Sequence, residues 1–459
     1  MIAEEAEQYD AIVLGAGITG LTAAEALQRR GQRVLVLEKS PRVGGAIQSI
    51  QAEGYTFDCG PNTLQVNRQE LEDWLKEIEL WDQALHTNPS AKRRFLVRHG
   101  RILAAPDSPW AALKTPLFSA LGKLRLLREP WVAPSPPDAG ESLADFVERR
   151  LGREMLDYAI NPFVGGIYAG RPEMLSVRYA FPKLWQLEQN HGSLIRGAFA
   201  LKNERRRSGT AYRTRLISFA GGLETLPKQL AARLGEAVQT NVTLDQMDQS
   251  IPDRWQVAWH RPGQLATRAV APRLVVTVPY AALASLPWSP DCDALRTGWS
   301  PVVHPPLTVW SLGFRRDQVR HPLDGFGMLI PEKEQRYCLG VLFNSALFAG
   351  KAPDGHVLLT VFVGGTRQPD HALQSADAQL NGLGKDLHDL LGVAGKPAFV
   401  HQRHWPEAIP QYGLEHGALI ERITALETLH PGLRFAGNYR HGISLPYCIE
   451  AGLRYASSD

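Results

Sequence analysis

Three glycines and one acid near the start of the chain have the types and spacing that bind a nucleotide diphosphate. Gly15, Gly17 and Gly20 follow a short apolar run, and Glu38 comes 23 residues after Gly15. A diphosphate needs backbone N–H groups at close range, so we expect Gly15 to allow a tight turn, Gly17 a close approach and Gly20 the packing of helix on strand. An acid about 20 residues on is typical of a ligand for a ribose 2′-OH. The pattern predicts a dinucleotide site.

The segments around these residues have the periodicity that such a site requires. Residues 11–14 and 34–37 are apolar runs typical of buried strands, and residues 21–30 have helical character ended by Gly31. In a strand–turn–helix–strand unit, the helix N-terminus faces the anion with its partial positive charge. A glycine-rich turn without a ligand is the alternative that this context disfavours.

A second glycine pair follows the acid. Arg42, Gly44 and Gly45 come just after Glu38. The arrangement resembles the extended fingerprint of FAD-dependent oxidoreductases of the amine oxidase type, in which the arginine and the glycine pair help to hold the diphosphate. This resemblance implies FAD rather than NAD, and a loop over residues 57–63 that passes beside the flavin.

Composition limits the class of protein further. A chain of 459 residues is too long for one ordinary core, so we expect two or three domains. The net charge of +3 is too small to predict nucleic acid as the main partner. Cys59, Cys292, Cys338 and Cys448 lack metal-ligand spacing, which suits free thiols in a reducing compartment. The acidic N-terminus lacks a signal-peptide core, and no run approaches the ~20 apolar residues of a spanning helix, so we expect a cytoplasmic protein.

The pattern of strand and glycine turn returns twice along the chain. A glycine turn opens a helix over residues 226–234, followed by a short strand at 238–243 and a buried strand at 273–279. Residues 433–452 then have the pattern of a strand, a glycine turn and a helix start, whose N–H groups face the flavin. We therefore expect a nucleotide-binding domain built from three separate pieces of the chain.

A basic amphipathic segment lies between residues 106 and 137. Its leucines recur at helical steps with cations between them: Leu113, Leu117, Leu121, Leu124 and Leu127 alternate with Lys114, Lys123, Arg125 and Arg128. Such a segment lies on an anionic membrane surface, here the inner face of the cell membrane, or packs on its own domain, and the sequence leaves both readings open. A further helix is predicted over residues 141–158.

Motifs in the middle of the chain narrow the resemblance. Residues 161–176, 181–188, 325–331 and 405–413 are similar, in this order, to the protoporphyrinogen oxidase family. A generic amine oxidase shares only the first and last glycine motifs. The resemblance implies an α/β fold with a discontinuous Rossmann-type FAD-binding domain, an α+β substrate domain and a mostly helical membrane-binding domain.

The expected domain bounds follow the same resemblance. The FAD-binding domain takes residues 1–90, 210–290 and 400–459. The helical membrane-binding and substrate-access domain takes residues 91–209, and the substrate-binding domain takes residues 291–399. We expect a monomer or a homodimer, and a hand-off of product to the next tetrapyrrole enzyme.

The resemblance implies an oxygen-dependent, six-electron oxidation of protoporphyrinogen IX to protoporphyrin IX in haem and tetrapyrrole biosynthesis. Hydride passes to noncovalent FAD, and O2 reoxidises the flavin to give hydrogen peroxide. No side chain is then required as a catalytic acid or base, and no metal is expected, since His401 and His404 have no further ligands nearby. The alternatives are a coproporphyrinogen III oxidase of the same fold, an amine oxidase or polyene desaturase, and an inactive flavoprotein that serves as a membrane-associated binding partner.

Site residues carry over from the family position by position. Arg94 matches the arginine that holds a substrate propionate, with a solvated basic turn as the alternative, and Gly166 matches a glycine that lines the pocket. Leu329 and Phe348 match the residues that sandwich the tetrapyrrole. The implied cofactor contacts are Gly15, Ala16, Gly17, Ile18, Thr19, Gly20, Glu38, Lys39, Arg42, Gly44, Gly45, Ala46, Gly60, Pro61, Asn62, Thr63, Val242, Trp405, Ile443, Ser444 and Leu445.

The chain departs from the family pattern near the expected site. Arg171 stands where many members have an acid, and residues 445–448 differ from the usual flavin-proximal sequence. A coproporphyrinogen has more carboxylates and would need more cations in the pocket. The sequence does not place the candidate cations for that purpose, which are Arg98, Arg178, Lys183 and Arg196.

Overall fold

The computed structural model describes residues 6–208 and 212–457. Within them the strands are β1 (Glu7–Gln8), β2 (Ala11–Leu14), β3 (Val34–Leu37), β4 (Ser49–Ala52), β5 (Tyr55–Asp58), β6 (Leu64–Val66), β7 (Ala84–His86), β8 (Arg93–Arg98), β9 (Arg101–Ala104), β10 (Arg215–Phe219), β11 (Val238–Gln239), β12 (Thr243–Ile251), β13 (Arg254–His260), β14 (Thr267–Ala271), β15 (Arg273–Val276), β16 (Leu307–Arg315), β17 (Gly325–Leu329), β18 (Gly340–Leu342), β19 (His356–Gly364), β20 (Phe399–Trp405) and β21 (Leu433–Phe435).

The α-helices of the same residues are α1 (Ile18–Gln28), α2 (Gln69–Glu77), α3 (Pro109–Lys114), α4 (Ala120–Leu127), α5 (Leu143–Leu151), α6 (Arg153–Met155), α7 (Asn161–Tyr168), α8 (Val177–Ala180), α9 (Pro182–His191), α10 (Leu194–Ser208), α11 (Thr225–Leu234), α12 (Asp293–Arg296), α13 (Asn344–Leu347), α14 (Pro369–Leu373), α15 (Ala376–Leu391), α16 (His416–Leu429) and α17 (Leu445–Ser457). A π-helical turn, Leu156–Ile160, joins α6 to α7.

A five-stranded parallel sheet forms the centre of the nucleotide-binding part. Its strand order is β11-β3-β2-β15-β21. Ala11 on β2 pairs with Val34 on one side and with Arg273 on the other. The central strands β2 and β3 are continuous apolar runs, which is typical of strands covered on both faces. Residues far apart in sequence, from the start, middle and end of the chain, are thus neighbours in one sheet.

Different layers cover the two faces of this sheet. On one face α1 and α11 pack with Leu21, Leu226 and Leu230 in one apolar cluster, and α17 joins it through Ile449. On the other face lie helix α16 and the four-stranded sheet β1-β14-β13-β12. Trp255 of β13 is buried in this layer. The sheet and its layers hold the carboxyl ends of the parallel strands at one edge, where nucleotides bind in such folds.

A second, seven-stranded sheet has the order β20-β16-β19-β18-β17-β8-β9. All its neighbouring strands run antiparallel except β8 and β17, which run parallel with Arg94 opposite Gly327. Helix α15 covers one face through Leu383 and Leu387. Strands β8 and β9, at 93–104, and β20, at 399–405, belong to this sheet, so the expected segment 91–209 contributes strands here as well as helices.

Helices α3 to α10 form a mostly helical part held by buried ion pairs. The Arg150 guanidinium is fully buried and pairs with the Glu129 and Glu188 carboxylates. Glu129 also accepts hydrogen bonds from the backbone N–H groups of Leu194 and Ile195 at the start of α10. Breaking such a buried pair would leave an uncompensated charge, so these contacts fix the helices relative to one another.

Four local expectations need correction. The helix expected over 141–158 is interrupted at Gly152, whose φ of +91° separates α5 from α6. The strand expected over 238–243 ends at Gln239, because Asn241 at φ +61° turns the chain into β12. Leu117 is fully buried, not part of the exposed leucine stripe. The loop expected over 57–63 begins only after Asp58, where β5 ends.

Candidate active site

The glycine turn between β2 and α1 has three distinct geometries at its three glycines. Gly15 has φ +98°, a conformation that side chains disfavour. A Cβ at Gly17 would meet no atom within 4 Å, so the space in front of it is open. A Cβ at Gly20 would lie 2.1 Å from the Gly15 carbonyl oxygen. Gly15 thus allows the tight turn, Gly17 leaves the approach open and Gly20 allows the close packing, as the spacing predicts.

The start of α1 is suited to an anion. Its N-cap, Gly17, makes no side-chain capping bond, and the first turn has no acidic residue. Thr277, at the end of β15, donates its hydroxyl to the Leu14 and Gly15 carbonyl oxygens at 2.8 and 3.0 Å and fixes the turn. An uncapped helix start beside an open glycine is a place where a diphosphate fits.

Glu38 lies at the end of β3, against the same turn. Its carboxylate accepts hydrogen bonds from the Ala16 N–H at 2.7 Å and from the Ser40 N–H at 2.8 Å. The Val242 N–H donates to the Glu38 carbonyl oxygen at 3.1 Å, which brings Val242 from a distant part of the sequence to this edge. Lys39 beside it is exposed. The Glu38 carboxylate, which is predicted to bind the ribose, is therefore fixed beside the glycine turn.

The second glycine pair closes over the first. The Gly44 N–H donates to the Ala16 carbonyl oxygen at 2.8 Å, and a Cβ at Gly45 would lie 3.5 Å from the Gly17 Cα. The Arg42 guanidinium donates to the carbonyl oxygens of Val43, Gly45 and Ile47. These bonds show that Arg42 shapes the loop that borders the diphosphate site.

The loop after β5 reaches the same region. A Cβ at Gly60 would lie 2.1 Å from the Ala46 carbonyl oxygen. The Trp405 indole N–H donates to the Cys59 carbonyl oxygen at 2.8 Å, so the end of β20 is fixed to this loop. Asn62 donates to the Gly60 carbonyl oxygen at 2.9 Å, and Pro61 and Thr63 beside it are half-buried.

The C-terminal turn lies beside the start of α1. Ile443, Ser444 and Leu445 precede or begin α17, and a Cβ at Gly452 would lie 2.6 Å from the Thr19 carbonyl oxygen. The Tyr412 hydroxyl accepts a hydrogen bond from the Gly442 N–H at 2.9 Å and fixes the turn. The predicted cofactor segments, at residues 15–20, 38–46, 60–63, 242, 405 and 443–445, therefore surround one edge of the parallel sheet.

Three of the predicted substrate residues lie on the second sheet or on α7, and the fourth, Phe348, directly follows α13. Gly166 touches Leu329, since a Cβ on Gly166 would lie 2.5 Å from the Leu329 Cδ2. Arg94 pairs with Gly327 and Leu96 with Leu329 across β8 and β17, so Arg94 and Leu329 share one face of the sheet. This face is opposite to the core face that α15 covers.

Arg94 lies beside an apolar cluster that contains Phe348. The Arg94 guanidinium lies 5.5 Å from the centre of the Phe326 ring, and Phe326 packs against the cluster that contains buried Phe348. Among the described residues no carboxylate forms an ion pair with Arg94, whereas its neighbour Arg93 pairs with Asp324 at 2.7 Å. An exposed cation beside apolar residues can bind a substrate carboxylate.

A profile of the family described as flavin containing amine oxidoreductase matches residues 18–458. The chain belongs to this family. FAD is therefore its cofactor, as the resemblance of the extended glycine fingerprint implies. The open space at Gly17, the uncapped start of α1 and the fixed carboxylate of Glu38 are features that fit FAD.

Curated relatives and a solved structure agree with this flavoprotein family. Protoporphyrinogen oxidase 2, chloroplastic/mitochondrial, of Arabidopsis thaliana is 32% identical over 97% of this chain and 92% of its own. Coproporphyrinogen III oxidase of Bacillus subtilis (strain 168) is 26% identical over 98% of this chain and 97% of its own. A crystal structure from Exiguobacterium sp. 255-15 matches with a TM-score of 0.78 and 21% identity over 99% of both chains. The resemblance to the protoporphyrinogen oxidase family is confirmed.

Cys448 is buried in the packing beside the C-terminal turn. Its Sγ is buried between α17 and α1 and contacts the Gly442 carbonyl oxygen at 3.6 Å. Burial raises the pKa of this thiol to about 11. A protonated, buried thiol is a poor nucleophile, which favours noncovalent FAD.

Several cations left open by the sequence have structural partners. Arg98 pairs with Glu154 at 2.7 Å, and its guanidinium lies over the Tyr158 ring. Arg178 lies over Trp185. Lys183 lines a cavity of about 250 Å³ next to α17, with Arg68, His441 and others. Within the residues that the structure describes, no cluster of His, Cys, Asp or Glu side chains is arranged to hold a metal.

Some residues that build the site were not predicted as site residues from the sequence. Thr277 and Tyr412 hold the two turns at the nucleotide site. Asn161 and Arg367 hold α7 against β17. Asn161 and Tyr412 occur in motifs that pointed to the family, yet their contacts cross more than 25 residues, a separation at which local spacing has no predictive value.

Proposed function

We propose that this flavoprotein oxidises protoporphyrinogen IX to protoporphyrin IX, with O2 as the final acceptor and hydrogen peroxide as the reduced product. The observation that carries the proposal is the position of Arg94, which has no carboxylate partner among the described residues, on the same sheet face as Leu329, which itself touches Gly166. A flat apolar ring with carboxylates at its edge needs this combination of apolar walls and one free cation. The relatives named protoporphyrinogen oxidase point to the same substrate.

The proposed roles of the side chains are binding and orientation. Leu329 and Phe348 would lie on either side of the substrate ring, and Gly166 would leave room for it beside α7. The planar guanidinium of Arg94 would bind one propionate. When bound, FAD supplies the two-electron acceptor, so six electrons leave in three rounds. Protons pass to solvent or to the nitrogens of the substrate ring, so no side chain acts as an acid or base.

Coproporphyrinogen III is the second candidate substrate. The Bacillus subtilis and Staphylococcus aureus relatives named coproporphyrinogen III oxidase cover nearly the whole chain. More carboxylates would require more free cations, yet Arg98 pairs with Glu154 and Arg171 pairs with Glu332 at 2.5 Å. Arg94 has no carboxylate partner within the described chain, and neither have Lys183 and Arg196, so the assay with both substrates decides between the two candidates.

We propose that the helical part works at an anionic membrane surface, on the inner face of the cell membrane. Trp110, Leu121 and Trp131 are 73%, 78% and 79% exposed, and α4 has no buried residue. Lys114 and Arg128 are exposed beside them. In the described parts of the chain no helix has the length and apolarity to cross a bilayer. The exposed patch supports shallow docking, from which product would pass to the next tetrapyrrole enzyme.

The three-domain division remains part of this proposal. Residues 1–90, 210–290 and 400–459 would bind FAD, and 291–399 would bind substrate together with β8 and β9, which share its sheet. Residues 109–208 would form the helical domain.

The assay that tests the function supplies protoporphyrinogen IX or coproporphyrinogen III to the purified holoenzyme in air. Porphyrin fluorescence above the autoxidation rate with protoporphyrinogen IX supports the proposal. A gain with coproporphyrinogen III alone supports the second candidate, and no gain with either substrate refutes both.

A further inference from the structure

The contact between Gly166 on α7 and Leu329 on β17 is stabilised by a nearby arginine, Arg367. Arg367 follows β19 and is half-buried, and in the described chain it forms no ion pair. One Nη donates to the Ile330 carbonyl oxygen at 2.7 Å. The other donates to the Asn161 carbonyl oxygen and, at 2.8 Å, to the Asn161 side-chain oxygen. The guanidinium therefore connects the end of β17 to the start of α7.

The chain leaves room for this guanidinium at one position of α7. A Cβ at Gly165 would lie 2.5 Å from an Arg367 Nη and 2.8 Å from its Cζ. Glycine at residue 165 therefore leaves the space that the guanidinium occupies where it reaches Asn161. The next residue along the helix, Gly166, faces Leu329. Two adjacent residues of α7 thus contact Arg367 and line the proposed substrate site.

Two further contacts support the same junction. The Glu332 N–H donates to the Asn161 side-chain oxygen at 2.9 Å, and Asn161 donates back to the Glu332 carboxylate at 3.2 Å. The Thr366 N–H donates to the Ala169 carbonyl oxygen at 2.8 Å at the other end of α7. Burial lowers the pKa of Arg367 to about 10, so the guanidinium is charged at neutral pH.

We propose that Arg367 is a positioning residue for substrate binding, which sets the distance between Gly166 on α7 and Leu329 on β17 and so the width of the tetrapyrrole site. The inference rests on the proposed function. Arg367 acts through the backbone of residues 161 and 330 and does not touch substrate or flavin. Its loss should therefore widen the site and weaken substrate binding while FAD stays bound.

The test compares two arginines with the same kind of contacts. Arg367→Met removes the guanidinium at the site. Arg316→Met is the matched control, since Arg316 also donates to two backbone carbonyl oxygens, those of Val319 and His321, just after β16 of the same sheet but away from α7. In the FAD-loaded protein, Arg367→Met should raise the KM for porphyrinogen about fivefold or more with a smaller change in kcat. Arg316→Met should leave KM within about twofold.

A second variant tests the contact itself. Gly165→Ala should raise KM in the native protein, because the methyl group displaces the guanidinium. The same substitution in Arg367→Met should add little, because the group that it displaces is gone. A native KM in Arg367→Met, an equal rise in Arg316→Met, or additive effects of the two substitutions would each overturn the proposal.

Amide hydrogen exchange separates this proposal from the proposed function. Residues 161–168 should exchange faster in Arg367→Met than in the native protein, and should be unchanged in Arg316→Met. This readout needs no substrate, so it still applies if the native holoenzyme oxidises neither porphyrinogen and the proposed function fails. Unchanged exchange of these amides in Arg367→Met would overturn the positioning role whatever the activity.

Discussion

A Cβ at Gly20 would lie 2.1 Å from the Gly15 carbonyl oxygen, which is too close for any side chain. Gly17, three residues earlier, has no atom within 4 Å of the same position and has extended backbone that alanine adopts. The two glycines are therefore required for different reasons. Gly20 is required by the fold, and we propose that Gly17 is required by the ligand.

Substitution should separate these two roles. Gly20→Ala should lower the free energy of unfolding of the apoprotein by about 1–3 kcal/mol through overpacking. Gly17→Ala should leave that free energy unchanged but weaken FAD binding at least about tenfold, because the methyl group fills the diphosphate approach. Urea unfolding and flavin-fluorescence titration measure the two effects. Equal stability losses in both variants would contradict the assignment.

Arg94 is expected to contribute to substrate binding alone. Arg94→Ala should raise the KM for porphyrinogen about three- to tenfold, since one charge-assisted carboxylate contact is lost, with FAD content unchanged. Arg93→Ala is the control, because Arg93 is the adjacent cation and pairs with Asp324. Steady-state kinetics on both variants decide the question, and wild-type KM in Arg94→Ala removes this residue from the site.

The membrane patch gives a salt-dependent prediction. Co-sedimentation with vesicles that contain an anionic lipid should fall as ionic strength rises, because the cations near α4 are screened. Leu121→Asp should reduce binding at every salt concentration. Leu265→Asp is the control, since Leu265 is 89% exposed on the loop between β13 and β14. Absence of binding at low salt would contradict the membrane proposal.

Two histidines that are largely removed from solvent should make the fold acid-sensitive. Burial lowers the pKa of His416 and of His441 to about 4, from the usual 6.5. The unfolded chain then binds the proton more tightly, so stability is complete above pH 6.5 and is lost as the pH falls towards 4. At pH 5 the loss is about 2 kcal/mol for each histidine.

Urea unfolding of the apoprotein at pH 7 and pH 5 measures this loss. His416→Phe keeps a ring against Tyr412, on which His416 stacks at 4.0 Å, and should recover about half of it. His191→Phe, at an exposed position on α9, should leave the pH dependence unchanged. A pH dependence that is the same in His416→Phe as in the native protein would contradict the prediction.

Local features of the fold follow from the sequence because their causes are local. The runs at 11–14 and 34–37 form strands as expected, since continuous apolar runs suit a sheet that is covered on both faces. The helix at 226–234 is also where its periodicity places it. The breaks at Gly152 and Asn241 escape the sequence pattern, because a positive φ depends on neighbours that packing supplies.

The parts of the site that depend on distant pairing lie beyond the reach of sequence patterns. Arg94 was predicted as a substrate residue, but its pairing with Gly327 joins residues 233 apart in sequence. The contacts of Arg367 with Asn161 cross 206 residues. Leu117 has the period of the leucine stripe, yet it is buried because the chain between α3 and α4 leaves the helical path.

The most direct test of the central claim is an anaerobic reaction of the holoenzyme with protoporphyrinogen IX. The absorbance of the oxidised flavin is followed together with porphyrin fluorescence, and with excess enzyme about three equivalents of flavin should be reduced for each porphyrin formed. Admission of O2 should then restore the oxidised flavin. A flavin that stays oxidised in the presence of protoporphyrinogen IX would contradict the account.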